Sequence, residues 1–147
     1  MDMLFGTFAS KSLLIVRVVL GVIFFAHGAQ KVFGWFGGPG LRAVIGHFRQ
    51  ALGVPALLTV LSAFTEFFGG LAMIVGLLVR PAAVGLILVM LVAIAKVHWP
   101  NGFFLNWSLE PGKSHGYEMN LALIGMALAV LVGGAGGLSI DRWLRPW

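Results

Sequence analysis

The chain has 147 residues, 59% of them hydrophobic and only 10% charged, with a mean hydropathy of +0.97. A soluble domain carries about 25% charged residues, so this chain cannot cover itself with polar surface and reads as a single-domain integral membrane protein. The absence of cysteine excludes disulfides, thiolate metal sites, Fe–S ligation and thiol redox chemistry within the chain, and the net charge of +5 comes from scattered Lys and Arg without a basic run, which speaks for membrane headgroups and against nucleic acid.

After a short tail, residues 12–33 form the first predicted span, about 22 residues and so about 33 Å at 1.5 Å per residue. Arg17 lies near its start, and His27, Gln30 and Lys31 fall in its last two turns. Lys11 ahead of an apolar run resembles a signal peptide, but the run carries Arg17 and continues past the usual h-region length, so it reads as a retained span. Arg17 is expected either to snorkel to the near interface or to reach a deep partner such as Glu66. Residues 34–40, with four glycines and Pro39, break the helix, and Trp35 and Phe36 suit the headgroup boundary. Leu41, Val44, Ile45, Phe48 and Leu52 then recur at helical spacing opposite Arg42, His47, Arg49 and Gln50. That pattern predicts an amphipathic helix over 41–52 lying in the interface plane.

Residues 56–79 form the second predicted span, with Glu66 as its only charge and Gly69, Gly70 and Gly76 as a small-residue face. Arg80 and Pro81 are expected to turn the chain into a short third span over 82–97, ending at Lys96, His98 and Trp99. An aromatic loop, 101–116, precedes a fourth span over 117–133 that opens with Glu118 and Asn120, and a glycine-rich exit leads to a tail at 141–145 with an interfacial pattern. Trp35, Trp99, Trp107, Trp143 and Trp147 read as interfacial anchors. The expected architecture is therefore an all-α up-down bundle of four transmembrane helices, with an interfacial helix between spans one and two. Four spans put both termini on one side. Lys11, Arg80, Arg142 and Arg145 against Arg42, Arg49 and Lys113 make that side cytoplasmic by a small margin.

An ionisable group in hydrocarbon costs about 2.5–3.5 kcal/mol on insertion scales, so such groups face one another or a wet cavity. Sorted by depth, Lys31, Lys96, Glu66 and Glu118 gather in one half of the bundle together with His27 and His98. His27 and Lys31 share a face, about 40° apart at 100° per residue.

Four segments together resemble the DoxX family. Residues 27–40 are similar to its HG-x-QK…GWFGG-x-G signature, 66–70 (EFFGG) to its E-x-GG element, 98–104 (HWPNGFF) to the exit of its third helix, and 116–121 (GYEMNL) to the G-[WFY]-E-x-x-L start of its fourth. The resemblance spans residues 12–135. It implies a small four-helix protein of the bacterial cytoplasmic membrane, in a family assigned oxidoreductase activity, with relatives in thiosulfate:quinone oxidoreductase and in quinone detoxification.

Three readings of the polar set follow. In a quinone-linked redox subunit, Glu66, His27 and Glu118 handle protons while Gln30, Lys31, Lys96, His98, Asn120 and Trp35 contact the ligand. With no cysteine and no cofactor motif, such a subunit needs a soluble redox partner. In a membrane anchor or assembly subunit, the same charges form a network that only holds the helices. In a small-solute or proton pathway, the narrow bundle requires a homo-oligomer. Haem needs two imidazoles at one depth, which His27 near a helix end and His98 beyond one suit poorly. No metal motif appears. Residues 38–43 match G-x-G-x-x-A but follow a membrane span rather than a strand, so they do not bind a dinucleotide.

Overall fold

The structure, a computed structural model, describes residues 10–144. The N-terminal tail 1–9, Arg145 and Trp147 lie outside the described residues. Helix α1 (Lys11–Phe33) starts where Ser10 Oγ accepts the Leu13 N–H at 3.3 Å and stops at Gly34, whose N–H returns to the carbonyls of Ala29 and Gln30. A 3-10 turn, Trp35–Gly37, leads to α2 (Gly40–Leu52). Helix α3 spans Ala56–Val75. Helix α4 (Val79–Ala93) runs on through a π-helical turn, Ile94–His98, and a 3-10 turn, Trp99–Asn101. Helix α5 is Glu118–Gly133, and the short α6 is Ile140–Trp143.

This all-α bundle corrects the four-span expectation. Among the described residues three helices are long and apolar enough to cross a bilayer: Lys11–Phe33, Ala56–Val75 and Val79–Asn101. The chain is thus a multi-pass membrane protein with three such helices, not four. The region expected as a fourth span is a helix of 16 residues. At 1.5 Å per residue that is about 24 Å, short of a hydrocarbon core of about 30 Å. Apolar composition alone had suggested a span. The helix begins only after the loop has closed at Tyr117 and ends at Gly134, whose φ is 77°. With the count of four goes the argument that placed both termini on one side.

The second and third spans also shift. Gly76, at φ 73°, ends α3 after Val75 rather than at 79, and the turn falls at Gly76–Leu78, ahead of Arg80 and Pro81. Pro81 lies in the first turn of α4, where its missing N–H costs nothing. The third helix therefore starts earlier and continues further than 82–97.

In lipid, helices gain little from burying apolar surface against one another, so close approach and polar ties set their packing. Helices α1 and α3 run antiparallel and pack through glycines. A Cβ on Gly28 would overlap the backbone of Phe67, one on Gly70 the backbone of Phe25, and one on Gly21 would lie 2.8 Å from the Gly70 carbonyl oxygen. Leu20 and Phe24 of α1 meet Met73, Leu86, Met90, Leu123, Ala127 and Val130 in the core. Ile15, Val22, Leu61, Phe68, Leu88 and Val92 face outward, as lipid contact requires. The amphipathic prediction for 41–52 matches α2, which buries Val44 against α1 and α3 and leaves Arg42, His47, Arg49 and Gln50 exposed.

Gly28→Ala should lower stability by about 1–3 kcal/mol, because the methyl meets backbone rather than a movable side chain. Gly125→Ala has nothing within 4 Å of its added carbon and should be neutral or slightly stabilising. Thermal unfolding of both variants in one detergent checks the pair.

Candidate functional site

Lys31, in the last turn of α1, and Glu66, on α3, meet across the glycine contact. The close approach at Gly28 brings the two backbones near enough for a direct ion pair, Lys31 Nζ to Glu66 Oε1 at 2.6 Å. The Glu66 side chain is only 2% exposed, and that of Lys31 25%. Glu66 Oε2 is buried with no hydrogen-bond partner among the described residues. An orphaned buried carboxylate oxygen costs about 1–3 kcal/mol or more, so it is the atom in this structure that most requires explanation.

Beside the pair lies a groove of about 410 Å³, lined by Gln30 and Lys31 of α1, Pro39, and Ala43, Val44, His47 and Phe48 of α2. Ligand sites of small molecules have this size and this mixture of apolar wall and few polar groups. Lys31 Nζ stands 6.0 Å from the centre of the Phe48 ring. An ammonium has three donors; Glu66 uses one, so others remain for a ligand. Gln30 Nε2 lies 3.4 Å from the Phe36 carbonyl oxygen, a weak tie that leaves the amide carbonyl available. The helix–turn–helix from α1 to α2 builds this groove: Gly38 sits directly against the backbone of Gln30, where a Cβ would overlap it.

The remaining expected site residues lie elsewhere or hold other partners. His27 is exposed, and its Nδ1 engages the Ile23 carbonyl of its own helix at 2.8 Å. Trp35 is exposed and stacks on Phe33, with ring centres 5.0 Å apart. Lys96, on the π-helical turn, is exposed and makes no ion pair among the described residues. His98 Nδ1 donates to the His115 carbonyl at 2.9 Å. Glu118 Oε2 accepts the Leu105 N–H at 3.1 Å. Asn120 is buried and donates to Met90 Sδ at 3.3 Å. His98 and Glu118 thus fasten the 101–116 loop, where Asn106 binds the backbone of Glu110 and Lys113 and donates its own N–H to His115 Nδ1. Of the four charges expected to gather, the structure joins Lys31 to Glu66 and gives Glu118 a backbone partner. No group of three or more His, Cys, Asp or Glu suited to a metal ion occurs among the described residues.

A second polar centre escaped the sequence reading. Arg17 neither snorkels nor reaches Glu66. It is fully buried at the opposite end of the bundle, where its guanidinium donates to the carbonyls of Met73, Ile74 (2.8 Å), Ala135 (2.9 Å) and Leu138 (3.1 Å). Asp141, assigned to an interfacial tail, is buried beside it and accepts the N–H groups of Leu78 (2.7 Å) and Val79 (3.1 Å). The available signal was two opposite charges at one end of the predicted bundle, flanking a glycine-rich segment whose carbonyls had no stated partners.

Inner membrane protein YqjF of Escherichia coli (strain K12) is similar, 29% identical over 136 residues that make up 91% of this chain and 93% of the relative. No solved structure matches the chain. The DoxX family model matches residues 12–99, a stretch that runs from α1 through the Lys31–Glu66 pair and the groove to the turns that follow α4. Since that match covers more than half of the sequence, the chain belongs to the DoxX family.

Proposed function

We propose that this protein is the membrane subunit of a quinone-linked redox system, with the groove beside Lys31 as its ligand site. The observation that carries this reading is Lys31, which lines the groove and is held there by the buried carboxylate of Glu66. A quinone when bound supplies two-electron, two-proton chemistry at its ring oxygens. The residues present fit it. Phe48, Val44, Ala43 and Pro39 offer an apolar wall, the spare donors of Lys31 suit a ring carbonyl, and His47 and Gln30 offer further polar contacts. Glu66 Oε1 keeps Lys31 in place at the groove. In this reading electrons come from a soluble partner protein.

The alternative role of a membrane anchor is favoured by the structural duties of His98, Glu118, Asn120 and Arg17, none of which needs a ligand. The two readings separate on one measurement. Protein in lipid nanodiscs is titrated with a short-chain ubiquinone. Lys31→Met should weaken binding about tenfold, the loss of one charge-assisted hydrogen bond, while Lys113→Gln, on the 101–116 loop, leaves it unchanged. Absence of saturable binding to the unaltered protein, or equal binding by Lys31→Met, sinks the quinone reading.

A further inference from the structure

The structure assigns a second site at the other end of the bundle. We propose that the groove between the start of α1 and α6 seats the headgroup of an anionic phospholipid, with Lys11 and Arg142 as its cationic jaws. The groove has a volume of about 590 Å³ and is lined by Ser10, Lys11, Leu14, Ile15, Gly137, Leu138 and Arg142. It belongs to neither the Lys31–Glu66 pair nor the groove beside it.

Charge complementarity names the occupant. Two of the lining residues are cations and none is acidic. Neither Lys11 nor Arg142 makes an ion pair among the described residues, whose two ion pairs are Lys31–Glu66 and Lys113–Glu110. Asp141 is the nearest side-chain carboxylate in sequence to Arg142, but it is 1% exposed and its oxygens accept the N–H groups of Leu78 and Val79. An ammonium and a guanidinium thus flank one cavity with no ion pair among the described residues. A phosphate oxygen set answers both.

The rest of the lining says that the anion carries a hydrocarbon tail. Ile15 is 63% exposed and Leu138 86%. Ile15 is on a helix that crosses the membrane, one turn inside its start, so the apolar wall continues from the groove onto the lipid-facing side of α1. Leu138 is held in place by the buried lock. Its backbone adopts φ 48°, a left-handed conformation that leucine rarely takes, and its carbonyl accepts from Arg17 Nη2. Gly137 N–H donates to the Ser10 carbonyl at 3.0 Å, which joins the two walls of the groove. Arg17 therefore fixes the loop that presents Leu138, with Arg142 following on α6, beside the first turn of α1. Free phosphate uses only half of this surface; a phospholipid with a negative headgroup uses all of it.

The test compares lipid retention in nanodiscs of phosphatidylglycerol and phosphatidylcholine mixed in fixed ratio, read by native mass spectrometry of the released protein. The full chain should keep phosphatidylglycerol in preference to phosphatidylcholine. The double variant Lys11→Gln/Arg142→Gln should lose that preference by about ten- to thirtyfold, since each basic residue at an anionic surface contributes about fivefold. The charge-matched Arg42→Gln/Arg49→Gln, on α2, should retain it. Both cations are exposed, so unchanged thermal unfolding of the first variant confirms that it is folded. Equal retention by Lys11→Gln/Arg142→Gln overturns the proposal, and so does an equal loss in Arg42→Gln/Arg49→Gln, which would mean general attraction to the surface. Displacement of the lipid by millimolar inorganic phosphate would make the site one for a free anion. A dimer that survives delipidation and dissociates in Lys11→Gln/Arg142→Gln would make it an interface between copies.

Discussion

Arg17→Met is expected to destabilise the protein by about 3–5 kcal/mol, the cost of removing one member of a buried charged set and leaving its partners unsatisfied. The reason lies in how α3 ends. The last carbonyls of any helix have no partner within it. In α3 the Ala72 oxygen is met by Gly76 and Leu77 N–H, and the Gly76 oxygen by Asp141 N–H at 2.8 Å. The carbonyls of Met73 and Ile74 are met by Arg17 Nη1, from another helix. Its charge also lies at the negative end of the α3 dipole. With its other nitrogens Arg17 holds Ala135 and Leu138, the exit from α5. Asp141 completes the arrangement by capping the start of α4, where Leu78 sits at φ 51°.

Methionine fills much of the arginine volume but satisfies none of these oxygens. Lysine keeps the charge but reaches fewer of them, so Arg17→Lys should fall between. Asp141→Ala should cost less than Arg17→Met, and the double variant less than the sum of the two, because both residues hold one junction. Denaturant or heat unfolding followed by helicity gives these values. Limited proteolysis should show new cleavage at 134–139 in Arg17→Met. A loss below about 1 kcal/mol would mean that water or lipid replaces the guanidinium at those carbonyls, and the lock would be no lock.

What could be read from the chain beforehand divides by the kind of partner involved. Membrane class and the bounds of α1 and α2 followed from apolar runs and helical periodicity, which depend on the chain alone. The Lys31–Glu66 pair was among the expected partners because few ionisable residues occur deep in apolar helices, and those two belong to consecutive antiparallel elements. Arg17 was mistaken because its partners are backbone carbonyls, which every residue carries and no sequence pattern marks. The end of α3 was misplaced because Gly76, read as a helix-packing residue, instead supplies the left-handed turn. A Cβ there would also strike Arg17 and Ser139. The fourth span failed on length: α5 is apolar beyond Asn120, and periodicity is silent on whether 16 residues suffice. His27 shares a face with Lys31, yet its ring turns back to Ile23, a rotamer choice that angular position does not determine.

The second large effect concerns Lys31 and Glu66, where stability and function should part. Lys31→Met alone leaves Glu66 buried without a counter-charge, and a loss of about 2–4 kcal/mol is expected. Glu66→Leu alone leaves an ammonium that is 25% exposed on its side chain and can turn towards the interface, so its cost should be smaller, about 1–2 kcal/mol. The double variant Lys31→Met/Glu66→Leu replaces a paired charge by two apolar side chains of similar volume. It should recover to within about 1 kcal/mol of the unaltered protein, since a buried ion pair seldom exceeds its apolar isostere in net stability. It would also remove the orphaned Oε2. If the pair served only to hold α1 against α3, this rescued double variant would keep every property of the protein. If the pair serves a ligand, the double variant should be folded and yet fail to bind the short-chain quinone. Unfolding curves and quinone titration on the same four proteins decide between them: stable and inactive supports the ligand site, stable and active reduces Lys31 and Glu66 to a tether.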